Sequence, residues 1–73
     1  MTKENTIGTN IRILRMELKL TQEELARKAD IPYPTLMKIE QGKVVNPTLK
    51  TLEKLVKVFN ISIDSLVNDE IKI

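Results

Sequence analysis

The stretch Thr21–Gly42, TQEELARKADIPYPTLMKIEQG, decides how this chain folds. It reads as two short helices joined by a tight turn. Thr21 opens the first: its hydroxyl is an N-cap, and Glu24 follows three residues later to complete a capping box. Leu25, Ala26 and Ala29 then form an apolar stripe at helical spacing. Ala26 is small, as a position must be where a second helix crosses closely. That second helix starts around Pro32–Pro34, because a first turn tolerates proline, whose missing N–H would go unused there. Leu36 and Ile39 point back into the core, and Gly42 ends the helix as a C-cap.

The remaining residues surround this pair. The first helix is expected over Ile7–Leu18, where Ile7, Ile11, Leu14 and Leu18 recur at spacings of four, three and four. Its other face carries Arg12, Glu17 and Lys19. After the Lys43–Asn46 loop, Asn46-Pro47 marks a turn and Thr48 caps a fourth helix over Leu49–Phe59. Leu49, Leu52, Leu55, Val56 and Phe59 give that helix a wide apolar stripe, and Asn60 ends it. Ser62 caps a short fifth helix over Ile63–Val67, with Leu66 and Val67 expected to close the core. The organisation is a flexible arm at 1–6, one domain at 7–67 and a tail at 68–73, with no internal repeat and no low-complexity segment. The fold class expected is all-α, five helices around one core.

Composition narrows the function. Seventy-three residues hold one domain with a small core. There is no cysteine and no histidine, which removes disulfides, thiolate metal sites, the commonest general base and the commonest zinc ligand. Glu23 and Glu24 are accounted for by capping and the helix macrodipole. Neither an enzyme, a metal site nor a cofactor is expected, and no small-molecule effector is evident. No apolar run approaches the roughly 18 residues needed to span a bilayer, and MTKENT has no signal-peptide character. A cytoplasmic protein is expected. The net charge of +2 is too small to argue for nucleic acid alone, so the placement of the lysines matters more.

Two short helices locked across a tight turn have the layout of a DNA-binding helix-turn-helix. TQEELA, the apolar Ile31 of the turn, TLMKIEQG with its Ile-Glu-x-Gly ending, and NPTLKTLEKLVKVFNIS follow one another in order. On these elements the chain resembles the Cro/CI-like (XRE-type) helix-turn-helix regulators, over roughly Ile7–Val67. The resemblance implies a compact five-helix, lambda-repressor-like DNA-binding domain. It also implies an ion pair between Arg15 and Glu40 that ties helix 1 to the end of helix 3. Asp30 stands where the family usually has glycine, at a position that needs a left-handed backbone. Gln22 matches a glutamine that the family sets against a DNA phosphate at the start of helix 2.

In such a motif the second helix enters the major groove, and residues near its N-terminus face the base edges. With Leu36 and Ile39 inward, the outward set is Pro32, Tyr33, Pro34, Met37, Lys38 and Gln41, with Thr35 at the boundary. Tyr33, Pro34, Met37 and Lys38 are the candidate base contacts. Lys38 can donate to guanine O6 and N7, and the other three offer surface suited to a thymine methyl. Gln22, Thr35, Gln41, Lys43 and Lys50 are the candidate phosphate contacts. Lys54 and Lys57 read instead as the solvated face of helix 4, and Asp64, Asp69 and Glu70 lie towards the other end of the chain.

Two function classes stay open at this point. One is a sequence-specific regulator of double-stranded DNA, a repressor acting as a dimer on paired half-sites. Its homodimer contact would be helix 5 and the tail, through Leu66, Val67, Ile71 and Ile73. The other is a protein-interaction module that reuses the fold, with Tyr33, Pro34 and Met37 as an apolar patch for a partner protein.

Overall fold

The computed structural model of the chain describes residues 6–71. The expectations placed on Met1–Asn5 of the arm and on Ile73 lie outside the described residues. Five helices are present: α1 Ile7–Glu17, α2 Gln22–Ala29, α3 Tyr33–Glu40, α4 Leu49–Phe59 and α5 Ile63–Asn68. Their packing forms a closed circuit, α1 on α3, α3 on α2, α2 on α4, α4 on α5 and α5 back on α1. Ile11, Leu25, Leu36, Ile39, Leu55 and Leu66 fill the centre with no exposed surface. Each fully buried aliphatic side chain contributes about 1.5–3 kcal/mol, and Ala26, Ala29, Ile31, Leu52 and Phe59 extend the same core.

Each helix starts on a residue that supplies what its first turn lacks. Thr6, Thr48 and Ser62 accept the backbone N–H of the residue three positions on. At α2 the capping box is complete: Thr21 Oγ1 accepts from Glu24 N at 3.1 Å, and Glu24 Oε1 accepts from Thr21 N at 2.8 Å. Helix α3 is the exception, with Pro32 at the cap and no side-chain hydrogen bond. Its proline lowers the need for one, since Pro34 has no N–H to satisfy.

Helices α1 to α4 each end on a left-handed residue, and only one of these is glycine. Lys19, Asp30 and Asn60 have φ near 60°, and Gly42 has φ 83°. After α3 the turn is a Schellman motif, with Gly42 N donating to Ile39 O and Lys43 N to Lys38 O. The same pair of bonds closes α1, from Lys19 N to Met16 O and from Leu20 N to Arg15 O. The left-handed Lys19 ends the helix one residue earlier than the apolar spacing suggests.

Three residues assigned to the core by periodicity are exposed instead. Leu18 is 49 % exposed because it sits beyond the last helical residue, and Leu20, after the turn, packs against the core in its place. Leu49 is 62 % exposed: it is the first residue of α4, one turn ahead of Leu52, where burial begins. Val67 is 40 % exposed. In this six-residue helix Leu66 takes the fully buried position, with Ile63 packed against the core one turn earlier, and the residue after Leu66 lies about 100° round.

Two buried residues were not foreseen. Asn10 is completely buried on α1, with Nδ2 donating to Leu66 O and to Asp69 O at 2.9 Å each, while Oδ1 accepts from Ile71 N at 3.4 Å. Helix α5 ends in extended backbone at Asp69. Its last carbonyls therefore need an outside donor, and Asn10 is that donor. Gly8 faces the end of α3, where an added Cβ would overlap the carbonyl oxygen of Ile39.

Gly8→Ala should therefore destabilise the protein by about 1–3 kcal/mol through overpacking. Helix propensity alone would favour the same change by about 1 kcal/mol. A melting temperature at or above the parent's would mean that α1 and α3 do not approach this closely. A second test uses pH. The Thr21 N–H bond holds the Glu24 carboxyl below its ordinary value. A carboxyl whose pKa is depressed by folding contributes stability above its unfolded pKa and loses it as pH falls through the folded one. Glu24→Gln should melt below the parent at pH 7, and the difference should shrink as both are taken below the ordinary carboxylate range. A gap unchanged by acid would remove the carboxylate from the cap.

Candidate nucleic-acid interface

Helix α3 divides along its length into an inward and an outward face. Leu36 and Ile39 are buried, whereas Pro32, Tyr33, Pro34, Lys38 and Gln41 are exposed. Met37 and Thr35 lie half-buried at the edge, so less of Met37 is presented than of Tyr33. Lys38 is the one charge on the outward face, because the acid of the helix, Glu40, is turned inward with a side chain 3 % exposed.

What holds Glu40 there is a network joining three segments. Arg15 Nε on α1 donates to Glu40 Oε2 at 2.8 Å, and Arg15 Nη2 donates to Oε1 at 3.1 Å. Such a fork on a carboxylate is the strong, direction-fixing form of the ion pair. The third nitrogen, Nη1, donates to Leu20 O at 2.8 Å, which ties in the segment entering α2. Gln22, the first residue of α2, donates from Nε2 to Glu40 Oε1 at 3.1 Å. One guanidinium thus fixes the start of α2 against the end of α3. A consequence for Gln22 is that its amide, expected against a phosphate, is held on Glu40, with its backbone N–H in the open first turn of the helix.

The candidate phosphate residues do not form one cluster. Gln22 and Gln41 line a common polar depression with Arg12, Arg15 and Glu40. Lys50 lies apart, in a groove along α4 with Glu53, Lys54 and Lys57. Lys43 is exposed in the turn after α3. Lys54, read from the sequence as merely solvated, donates from Nζ to Asp30 O at 3.0 Å and stands 3.9 Å from Asp30 Oδ2. It therefore caps the end of α2, which sequence spacing has no way to show. Ala26 is buried at the α2–α3 crossing side, as its size suggests. Among the described residues, no group of three or more acids could hold a metal ion, and no helix is long and apolar enough to cross a membrane.

The helix-turn-helix family model matches residues 11–66, from the middle of α1 to Leu66. The immunity repressor of Bacillus phage phi105 is 38 % identical over 65 residues, which is 89 % of this chain and 44 % of that protein. Among solved structures, the biofilm regulator SinR in complex with DNA superposes with a TM-score of 0.80 at 34 % identity, covering 84 % of this chain and 97 % of that one. The P22 c2 repressor bound to a synthetic operator gives a TM-score of 0.81 at 25 % identity, covering 89 % and 97 %. This chain belongs to the Cro/CI-like (XRE-type) helix-turn-helix family. Its five helices, with no strand among the described residues, are the arrangement of the SinR and P22 c2 DNA-binding domains. As a family member it is a DNA-binding transcriptional regulator, which is not a class of enzyme.

The ion pair at the helix junction can be tested by removing one side of it. Arg15→Met leaves the Glu40 carboxylate buried without its cation, a change that costs about 3–5 kcal/mol in comparable settings. Replacing both residues, Arg15→Met with Glu40→Leu, should recover a large part of that loss in urea denaturation. The double variant keeps the comparison readable where the single one is unfolded at room temperature. A single variant as stable as the parent would show that the junction does not rest on this pair.

Proposed function

We propose that this protein is a sequence-specific repressor that lays α3 in the major groove of double-stranded DNA and works in the cytoplasm as a homodimer. The observation that carries the reading is the outward face of α3. Tyr33, Pro34 and Lys38 are exposed there, and no intramolecular side-chain hydrogen bond or ion pair among the described residues engages them. Behind them the Arg15–Glu40–Gln22 network sets the angle between α2 and α3. Lys38 would donate to guanine, while Tyr33, Pro34 and the exposed edge of Met37 meet thymine methyls. Gln22, Thr35, Gln41, Lys43 and Lys50 would contact the backbone and hold the helix in register. That similar folds have been solved in complex with DNA supports double-stranded DNA as the partner.

The dimer contact would use α5 and the residues after it. Val67 and Val45 are both exposed apolar side chains, 40 % and 65 %, and they line one shallow groove with Ile7 and Ile39. Two copies joined there would each present α3 to one side of a duplex, which suits half-sites about one helical turn apart.

Selection of bound sequences from a random duplex library at moderate salt, with the mass of the complex measured alongside, tests both parts. An inverted repeat bound by a dimer is expected. Lys38→Ala should then cost about 1–3 kcal/mol and relax preference at one position of each half-site. Absence of any enriched sequence would overturn the reading and favour a protein partner for the Tyr33–Met37 face.

A further inference from the structure

Asn10 is completely buried on α1, and its carboxamide is bonded to one short segment at the other end of the chain. Nδ2 donates to Leu66 O and to Asp69 O, and Oδ1 accepts from Ile71 N. Helix α5 has six residues, and its one completely buried side chain is Leu66. Apolar contact has no direction, so on its own it lets so short a helix slide or roll. Three bonds from one planar group stop both movements.

The helix that carries Asn10 is also bolted to the reading helix. Five residues on, about 7.5 Å along the axis, Arg15 forks onto Glu40 at the end of α3. At the start of α1, Gly8 lies directly against the Ile39 carbonyl. Helix α1 is therefore a crossbar, with α3 fixed to it by Arg15 and α5 fixed to it by Asn10. The groove assigned above to the dimer contact has walls from both sides of the Asn10 bond. Ile7 stands one turn before Asn10 on α1, and Val67 follows Leu66 on α5.

We propose that Asn10 sets how far apart the two reading helices of a dimer stand, and with that the half-site spacing the protein selects. The proposal rests on the DNA-binding dimer reading and deepens it. In a dimer joined at this groove, the separation and tilt of the two α3 helices follow from where α5 sits on α1. A duplex is sensitive to both. Each added base pair moves a half-site about 3.4 Å along the axis and turns it by roughly a tenth of a turn. A rigid pair of reading helices matches one spacing, whereas a pair hinged at α5 matches several. Asn10 is thus a positioning residue that touches no DNA.

The test compares the full chain with Asn10→Leu, Asn10→Asp and Ile31→Val, the last a control for general loosening of the core. Asn10→Leu removes every bond of the carboxamide at similar volume. Asn10→Asp keeps the shape; between two carbonyl oxygens its carboxyl takes the neutral form and donates one bond in place of two. It is the variant to rely on where Asn10→Leu does not fold. Affinity is measured for a single half-site of the selected sequence and for pairs of half-sites at the selected, shorter and longer spacings. The parent's preference for the selected spacing, roughly 5- to 150-fold for an ordinary coupling between two sites, should fall several-fold in Asn10→Leu and less in Asn10→Asp. Affinity for the single half-site should not change, because α3 and the Arg15 fork are untouched, and Ile31→Val should keep the parent's preference. If the Asn10 variants keep that preference too, or lose single half-sites and pairs alike, Asn10 only supports the fold and the dimer reading stands. If a second half-site adds nothing to the parent's affinity at any spacing, the dimer reading falls and the proposal with it.

Discussion

The junction of α1, α2 and α3 depends on the charge pair between Arg15 and Glu40, and most of the architecture follows from how it is satisfied. A carboxylate this deeply buried is costly unless its oxygens are filled, and here they accept three donors from two side chains. Apolar packing at the same junction, between Leu25, Ala26, Leu36 and Ile39, is stronger in total but has no direction. The guanidinium fork supplies the direction. It sets which way α3 faces, and with it which side chains of α3 are left outside.

Close approach makes that geometry possible. Gly8 lets α1 pass directly over the last turn of α3, and Ala26 and Ala29 keep α2 near its neighbours. The cost appears at the helix ends, where Lys19, Asp30 and Asn60 hold left-handed backbone that suits glycine better. Asn and Asp tolerate it, and the end of α2 gains Lys54, which reaches across from α4 to the Asp30 carbonyl. For Lys19 the structure offers no such side-chain compensation among the described residues. Its strain is offset only by the two backbone bonds of its turn.

How much of this was legible in the sequence depends on whether the signal is periodic or tertiary. The capping box at Thr21, the stripe Leu25–Ala29, the breaks at Pro32 and Gly42 and the start of α4 at Thr48 are local chemistry, and they appear where the residues indicate. The partnership of Arg15 with Glu40 was available only through family resemblance, since two residues 25 positions apart share no periodic signal. Asn10 is a polar residue on the same face as Ile7, Ile11 and Leu14, the kind of break that calls for a buried partner, but the partner lies on α5 and has no local signal. Leu18, Leu49 and Val67 failed for the opposite reason. Each continues a stripe at the very end of a helix, where the pattern persists but no neighbouring helix remains to cover it. Lys54 illustrates a limit of charge reading: it sits on the polar face of α4, and only the packing of α2 beside it makes it a cap.

These contacts separate the residues that hold the fold from those proposed to meet DNA. Arg15, Glu40, Asn10 and Gly8 act inside the molecule, and each is tied to groups that come from a different helix. Tyr33, Pro34, Lys38, Gln41, Lys43 and Lys50 take part in no side-chain hydrogen bond or ion pair among the described residues. Substitution at these exposed positions therefore removes no internal hydrogen bond or ion pair among the described residues, and surface changes away from such features usually alter stability by less than about 0.5 kcal/mol. Specificity can then drift along the outer face of α3 while the junction beneath it stays fixed. Gln22 is the residue where the two sets meet: its side chain belongs to the Glu40 network, and its backbone N–H points out of the helix. A change there would loosen the junction along with any contact proposed for the start of α2, so its effect on binding cannot be assigned to either without the melting temperature beside it.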